Sequence, residues 1–174
     1  MARWLPSVSA ALVAVATGAG CDPSTLPGTS LGTYSVTGQV TMNSCGAGAM
    51  APDPWTFDVQ MSEDGSTLYW SSESEGQTPL SAPIDASSRA ILTSVVQQNV
   101  DGTAQLAGPC LLERDDTIDL TLGSGSPPPN FSGTITYTFL AAANSDCGDQ
   151  LSVAGGPYDT LPCTIEYAVT GVSQ

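Results

Sequence analysis

Residues 131–139 read Phe-Ser-Gly-Thr-Ile-Thr-Tyr-Thr-Phe, and this stretch decides the fold. Its large apolar side chains fall on alternate positions, and the positions between them are Ser or Thr. Successive side chains of a β-strand point to opposite faces of the sheet, so the pattern predicts a strand with one buried face and one wet face. Threonine is β-branched and suits the pleated surface of such a strand.

The same period of two recurs along the chain from Gly32 onward. It predicts strands at residues 34–42, 56–61, 66–72, 80–84, 90–96, 117–122, 131–139 and 164–169. The 90–96 segment also suits a helix, because its apolar residues allow helical spacing and Asp85 or Ser87 precedes it as a cap. We favour the strand there.

The connections between these strands predict how the sheet is organised. Every second connection is short: 62–66, 85–89 and the Gly/Pro-rich 123–130. The others, 43–55, 97–116 and 141–162, are long. We therefore expect an all-β fold, an antiparallel up-and-down meander closed into a small β-barrel in preference to a β-sandwich, with the long loops at one end. A further hairpin at Asp101-Gly102, with an extra strand at 103–106, is the alternative that would reverse the ends.

The start of the first strand, Leu31-Gly32-Thr33-Tyr34, resembles the Gly-x-Trp opening of lipocalin-like barrels, with Tyr in place of Trp. The resemblance implies a barrel. Aromatic residues of the inward faces are then either plain core or the lining of a ligand cavity. The candidate lining residues are Tyr34, Phe57, Trp70, Tyr137, Phe139 and Tyr167. Trp55, in a long loop beside two prolines, is a further candidate for recognition at the rim.

The first twenty residues have the pattern of an export signal. Arg3 precedes an apolar stretch too short to span a bilayer, and small residues follow it up to Gly20. The small residues directly before Cys21 resemble the lipobox of bacterial lipoproteins, which implies that Cys21 is lipidated. We expect a signal peptide at 1–20, a lipid-anchored tether at 21–31 and a single β domain at 32–174. An ordinary cleaved signal is the alternative.

Five cysteines are an odd number for an exported protein. With Cys21 carrying lipid, Cys45, Cys110, Cys147 and Cys163 can form two disulfides in an oxidising compartment. Four cysteines allow three connectivities. We favour Cys147–Cys163 with Cys45–Cys110.

The composition excludes most common catalytic residue sets and zinc sites. The chain has no His, its formal net charge is −14, and its three basic residues are all arginines. Catalysis by a Ser-His-Asp or Cys-His set is therefore excluded, as is a zinc site with His ligands. A surface without Lys repels nucleic acid. We expect no enzyme, no cofactor and no metal.

Carboxylates are the remaining candidates for catalysis or metal binding. The densest group is Glu113, Asp115, Asp116 and Asp119, which we interpret as a solvated turn paired with Arg114. A glycosidase-like pair or a Ca²⁺ site is the functional alternative, and Asp146 with Asp149 is a second Ca²⁺ candidate.

These observations predict an exported, membrane-anchored lipoprotein of the cell envelope. The leading hypothesis is a non-catalytic barrel that binds a small or apolar ligand. The alternative is a structural or protein-interaction module with a filled core, which uses its disulfide-tied loops to contact an envelope protein. The sequence does not distinguish the inner from the outer membrane.

Overall fold

The computed structural model describes residues 26–72, 78–100 and 109–174. The signal peptide, Cys21 and the proposed strand at 103–106 lie outside these residues. The strands are β1 (Thr29–Asn43), β2 (Trp55–Asp64), β3 (Thr67–Ser72), β4 (Leu80–Pro83), β5 (Arg89–Val100), β6 (Cys110–Leu122), β7 (Asn130–Ala141) and β8 (Cys163–Ser173).

The eight strands form one antiparallel sheet in the order β4-β3-β2-β1-β8-β7-β6-β5. Each strand pairs with its neighbour in the chain, and β1 pairs with β8. The two edge strands, β4 and β5, meet at a single bridge between Ile84 and Ala90. The sheet is therefore an up-and-down meander nearly closed into a barrel, which confirms the predicted fold class.

The 90–96 segment is a strand, and β5 continues beyond it to Val100. Strand β6 begins at Cys110, well before the predicted start at 117. Val100 pairs with Cys110, so β5 and β6 are direct antiparallel neighbours. The prediction that residues up to 116 form a long loop is wrong, because Glu113 and Asp115 alternate with inward-facing positions of a continuous strand.

Because the strands alternate in direction, the barrel has two unlike ends. We call the end where β1 begins and β8 ends the proximal end; it carries the turns at 65–66, 84–88 and 123–129. The distal end carries the long connections 44–54 and 142–162. These two predicted long loops therefore lie at one end and the three short turns at the other, as expected.

The proximal half of the barrel is filled by large apolar side chains. Tyr34, Leu68, Leu92 and Leu120 have no exposed surface. The Tyr34 hydroxyl donates a hydrogen bond of 2.6 Å to the carbonyl of Pro128, which ties the 123–129 turn to β1. An eight-stranded barrel is just wide enough for side chains to fill, and this half follows that rule.

A β-bulge in β1 changes which residues face inward. The register against β8 shifts between Val40 and Met42, so that Met42 pairs with Glu166. Met42 is 45% exposed, although the alternation of the sequence predicts it on the inner face. A bulge adds one residue to one strand and reverses the faces beyond it.

Candidate functional site: the distal mouth of the barrel

The distal half of the barrel holds an aromatic cluster. Trp55 is the first residue of β2, not a loop residue, and its ring stacks on Phe57 with centroids 4.2 Å apart. It also lies 5.1 Å from the Tyr167 ring and 6.0 Å from the Tyr137 ring. Trp70 meets Phe57 edge-on at 6.4 Å. Offset and edge-to-face contacts of this kind stabilise aromatic groups beyond their buried area.

A charged pair projects into the same half of the barrel. Arg114 binds Asp116 through two nitrogens, at 2.7 Å and 2.8 Å. Asp116 is only 6% exposed and also accepts a hydrogen bond of 3.2 Å from the Ser94 hydroxyl. The Arg114 guanidinium lies 4.8 Å from the centroid of the Tyr137 ring, in cation–π contact. A partly buried arginine is thus held by a carboxylate and an aromatic face together.

These groups surround a small hollow, which we call the distal hollow. Its enclosed volume is about 40 Å³. Its lining residues are Trp55, Phe57, Trp70, Ser71, Ser72, Thr78, Leu80, Ser94, Asp116, Ile118, Ile135 and Tyr137. A cavity needs roughly 10–15 Å³ to hold one water molecule, so this space fits a few water-sized groups.

The lining of the hollow comes from both sides of the seam between β4 and β5. Ser71, Ser72 and Leu80 line it from β3 and β4 on one side of the seam, and Ser94 and Asp116 line it from β5 and β6 on the other. Ser71 alternates with the buried Trp70 and so faces outward on β3.

Half of the predicted cavity residues lie on the hollow. Phe57, Trp70 and Tyr137 line it. Tyr167 contacts the same aromatic cluster without lining the hollow, and Phe139 packs on Tyr158 at 5.3 Å. Tyr34 lies in the filled proximal half, where it serves as core.

Burial controls the ionisation of the tyrosines at this end. The pKa of Tyr158 is raised by burial, an effect that the nearby Arg114 charge partly offsets. The pKa of Tyr167 is raised by burial and, to a smaller extent, by the negative charge of Asp53. Both hydroxyls therefore stay neutral beyond the pH at which a free tyrosine ionises.

Two disulfides hold the distal loops, but the favoured pairing is wrong. The bonds are Cys45–Cys163 and Cys110–Cys147. The bulge in β1 sets Asn43 opposite Ile165. Two residues further along the same register, Cys45 faces Cys163. The pairing could not be derived without the β1–β8 closure and its bulge.

The distal loops pack on one another above β1 and β8. The amide of Asp159 donates to the carbonyl of Cys45 at 2.8 Å. A Cβ added at Gly48 would meet the carbonyl of Pro157 at 2.6 Å, so the two loop backbones lie in close contact. This part of the mouth is covered by protein, and the hollow lies on the side of β3 to β6.

The acidic cluster is divided between the two faces of β6. Asp116 points inward, whereas Glu113, Asp115 and Asp119 point outward; the interpretation as a solvated turn is wrong for Asp116. Arg89 binds Asp119 at 2.7 Å and holds the pKa of that carboxyl below its usual range. Gln97 donates to Glu113 at 2.6 Å.

The second Ca²⁺ candidate has an unusual environment. Both carboxylate oxygens of Asp149 are buried and have no hydrogen-bond partner among the residues that the structure describes, while Asp146 accepts from the Gly148 amide at 3.1 Å. Within the described ranges, no group of three or more His, Cys, Asp or Glu is placed to hold a metal ion.

The sequence analysis named Asp116 and expected its cluster to pair with Arg114, but it did not place these two residues inside the barrel, and it did not name Ser94. The sequence contained the information needed: Arg114 and Asp116 continue the every-second-residue pattern of Ile118 and Leu120, which were assigned to an inner face. Extending that alternation four residues toward the N-terminus places both charges inside the barrel.

The fold and this mouth define a class: a disulfide-bonded, nearly closed, up-and-down β-barrel protein. Comparison of the chain with protein-family models, with curated proteins and with solved structures finds no match. In the part of the chain that the structure describes, no helix has the length and apolar character needed to cross a membrane.

Proposed function

We propose that this protein is an exported, lipid-anchored protein of the cell envelope that acts without catalysis, by binding a partner protein at its distal end. The single observation that carries the proposal is that the two ends of the barrel differ. Strand β1 begins and β8 ends at the proximal end, while the disulfide-tied loops and the aromatic mouth lie at the other.

The lipid anchor is inferred from the sequence around Cys21. Eight steps of chain separate Cys21 from the start of β1, which allows a reach of up to about 28 Å. An acidic surface is repelled by anionic headgroups, so lipid rather than charge would hold the protein at a membrane. Anchored in this way, the barrel would turn its distal end away from the bilayer. Two disulfides agree with an oxidising, extracytoplasmic compartment.

The packing of the barrel supports a binding module over a carrier of a small molecule. Pockets for drug-sized ligands usually measure roughly 300–1,000 Å³. The distal hollow measures about 40 Å³, and large buried side chains fill the proximal interior. The larger space of about 470 Å³, lined by residues 26–33 of the chain entry and first strand and residues 60–62 of β2, is half open to solvent. The filled-core hypothesis is therefore the better supported of the two that the sequence left open. Binding of a small ligand at the mouth is the second candidate function, because aromatic rings and the Arg114–Asp116 pair line the hollow there.

Two measurements test the proposal. Labelling of growing cells with a fatty-acid probe should mark the wild type and the tether variant Ser24→Ala, and should leave Cys21→Ser unlabelled. Native mass spectrometry of the protein, extracted gently from its envelope, should then show a complex with a second protein. Loss of a few hundred daltons on denaturation would instead identify a small ligand. A labelled Cys21→Ser variant would remove the anchor from the proposal.

A further inference from the structure

Two loops at the distal end together form a surface that we call the distal cap. It consists of residues 46–52, between β1 and β2, and residues 153–157, between β7 and β8. Their sequences are Gly-Ala-Gly-Ala-Met-Ala-Pro and Val-Ala-Gly-Gly-Pro, twelve residues without a polar side chain. Loops that only connect strands are usually polar, so the composition of the cap points to a role beyond connection.

The two largest side chains of the cap are turned into solvent. Val153 is 91% exposed and Met50 is 85% exposed, the highest values of any large hydrophobic residue in the described ranges. The loops that carry them are in contact, because a Cβ added at Gly48 would lie 2.6 Å from the carbonyl oxygen of Pro157. Single exposed apolar residues are common, but a continuous apolar patch with a polar rim is typical of an interaction site.

The backbone of Met50 supports a role in binding. Its φ of 44° and ψ of 53° lie in the left-handed region, which glycine adopts freely and a residue with a Cβ adopts at a cost. Strained residues of this kind are concentrated at binding and active sites. Methionine is long, flexible and polarizable, and it adapts its shape to an apolar partner surface. A glycine at this position would relieve the strain but would present no side chain.

The cap is held in place before a partner arrives. The Cys45–Cys163 disulfide joins the foot of the first loop to β8, and the Asp159 amide donates to the Cys45 carbonyl at 2.8 Å. Within the second loop, the Ser152 amide donates to the Tyr158 carbonyl at 2.6 Å. A preorganised surface loses little conformational entropy on binding, and Ala, Gly and Pro have almost no side-chain freedom to lose.

The charge around the cap selects the partner. Asp53 directly follows the first cap segment, and Asp159 lies two residues after the second, with its carboxylate beside Gly46. Both aspartates are exposed. The chain has no Lys or His, and the two arginines of the described ranges are paired with other carboxylates. The cap therefore has a negative rim, which attracts a basic surface and repels a second copy of this chain or an anionic bilayer.

We propose that the distal cap is the docking surface for a partner protein that presents an apolar depression bordered by Lys or Arg. Met50 and Val153 enter the depression, and the basic residues of the partner face Asp53 and Asp159. This inference rests on the proposed function and names the surface and the chemistry by which the partner is bound. Burial of the apolar patch supplies the affinity, while the charges speed association and exclude acidic partners.

A photoreactive residue tests where the partner binds. The benzophenone amino acid p-benzoylphenylalanine replaces Val153 in the full-length protein in intact cells. In the control it replaces Val172, which is 59% exposed near the proximal end of β8. We expect irradiation to join a second protein to position 153 and not to position 172. Mass spectrometry of the cross-linked peptide should identify a segment with apolar residues flanked by Lys or Arg.

Substitutions in the cap then measure its contribution to affinity, with the captured protein purified and titrated against this protein with its disulfides intact. Val153→Lys places a like charge against a basic surface and should weaken binding by at least about tenfold. Val172→Lys is the matched control and should leave affinity within about twofold. The double variant Asp53→Asn/Asp159→Asn should weaken binding by about threefold or more and reduce its dependence on salt.

The strained residue provides a readout that a merely structural role would not give. Met50→Gly removes the apolar side chain and relieves the left-handed backbone, so it should keep or raise the Tm while it weakens binding by at least about fivefold. Unchanged affinity of Met50→Gly would remove Met50 from the interface and overturn the inference.

The remaining outcomes separate this inference from the proposed function. No cross-link at position 153, in cells from which native mass spectrometry recovers a complex, would refute the cap and leave partner binding intact. Absence of both the cross-link and the complex would refute the proposed function as well. A cross-link to a second copy of this chain or to an acidic segment, or equal affinity of Val153→Lys and wild type, would also overturn the inference. Failure of the Cys21 labelling would remove the anchor and leave the cap intact.

Discussion

The two halves of the barrel differ in what fills them. In the proximal half, large apolar side chains pack closely, and the Phe131 ring occupies the space above Gly171, where a Cβ would lie within 2.1 Å of it. In the distal half, aromatic rings surround a charged pair and a hollow. The contrast indicates that the proximal half stabilises the fold, while the distal half leaves room for binding.

The largest effect should come from the disulfide that closes the distal end. Cys45–Cys163 spans 118 residues and Cys110–Cys147 spans 37. Chain-entropy arguments assign about 5 kcal/mol to the longer loop and about 4 kcal/mol to the shorter one. We expect Cys45→Ser/Cys163→Ser to lower the free energy of unfolding more than Cys110→Ser/Cys147→Ser, measured by urea unfolding. The reverse order would mean that local loop packing, not closure of the barrel, determines the stability of this end.

Truncation of one leucine in each half should show directly how differently the two halves contribute to the free energy of unfolding. Leu120→Ala in the proximal half removes a side chain with no exposed surface, and we expect a loss of about 2–5 kcal/mol. Leu80→Ala at the rim of the hollow removes the same atoms from a half-buried site beside existing free space. It should cost about 1 kcal/mol or less, by the same urea measurement. Equal losses would show that the hollow is packed as tightly as the core.

The charged pair should be dispensable for stability when both members are removed. Arg114→Met alone leaves the buried Asp116 carboxylate without its guanidinium and should cost about 1–3 kcal/mol. Adding Asp116→Leu should recover most of that loss, because apolar replacement of a buried ion pair is often neutral. A double variant that is less stable than Arg114→Met would assign the pair a structural role and remove a reason to regard it as a binding feature.

The smallest effect should be a pH dependence at the proximal turn. Arg89 lowers the pKa of Asp119 from its ordinary value near 3.8. A depressed folded-state pKa contributes stability that is present above the unfolded pKa and is lost as pH falls through the folded one. The stability difference between wild type and Asp119→Asn should therefore be constant at neutral pH and shrink below about pH 3.8.

The sequence was sufficient to predict the strands, their direction and a barrel, but not the register in which β1 and β8 pair. Alternation of residues such as Ile135 and Thr136 is a local property, and it predicted the strands, the meander and the unlike ends. Pairing of β1 with β8 joins residues more than a hundred positions apart, and a single bulged residue sets its register. No local pattern encodes that, which is why the cysteines were predicted to bond but were paired wrongly.

The candidate site was predictable only in part, for a different reason. The aromatic residues were found because inward aromatics stand out in an alternating strand. Arg114 and the acidic cluster were expected to pair but were placed in a solvated turn, because consecutive charges favour a turn and charged residues are rarely buried unless they are paired. The position of the Arg114–Asp116 pair inside the barrel becomes apparent only when β6 is traced back to Cys110.

The position of β1 has a mechanical consequence. Force that enters through the chain ahead of Thr29 and leaves through the distal end runs along β1, which is bonded to β2 on one side and β8 on the other. Hydrogen bonds of antiparallel pairs run across the strands, so this load shears both ladders at once instead of opening them one bond at a time. Cys45–Cys163 joins β1 to β8 beyond the last of these bonds. A pull in this direction would therefore have to break many hydrogen bonds of both ladders together. The disulfide would still join β1 to β8 after those bonds had broken.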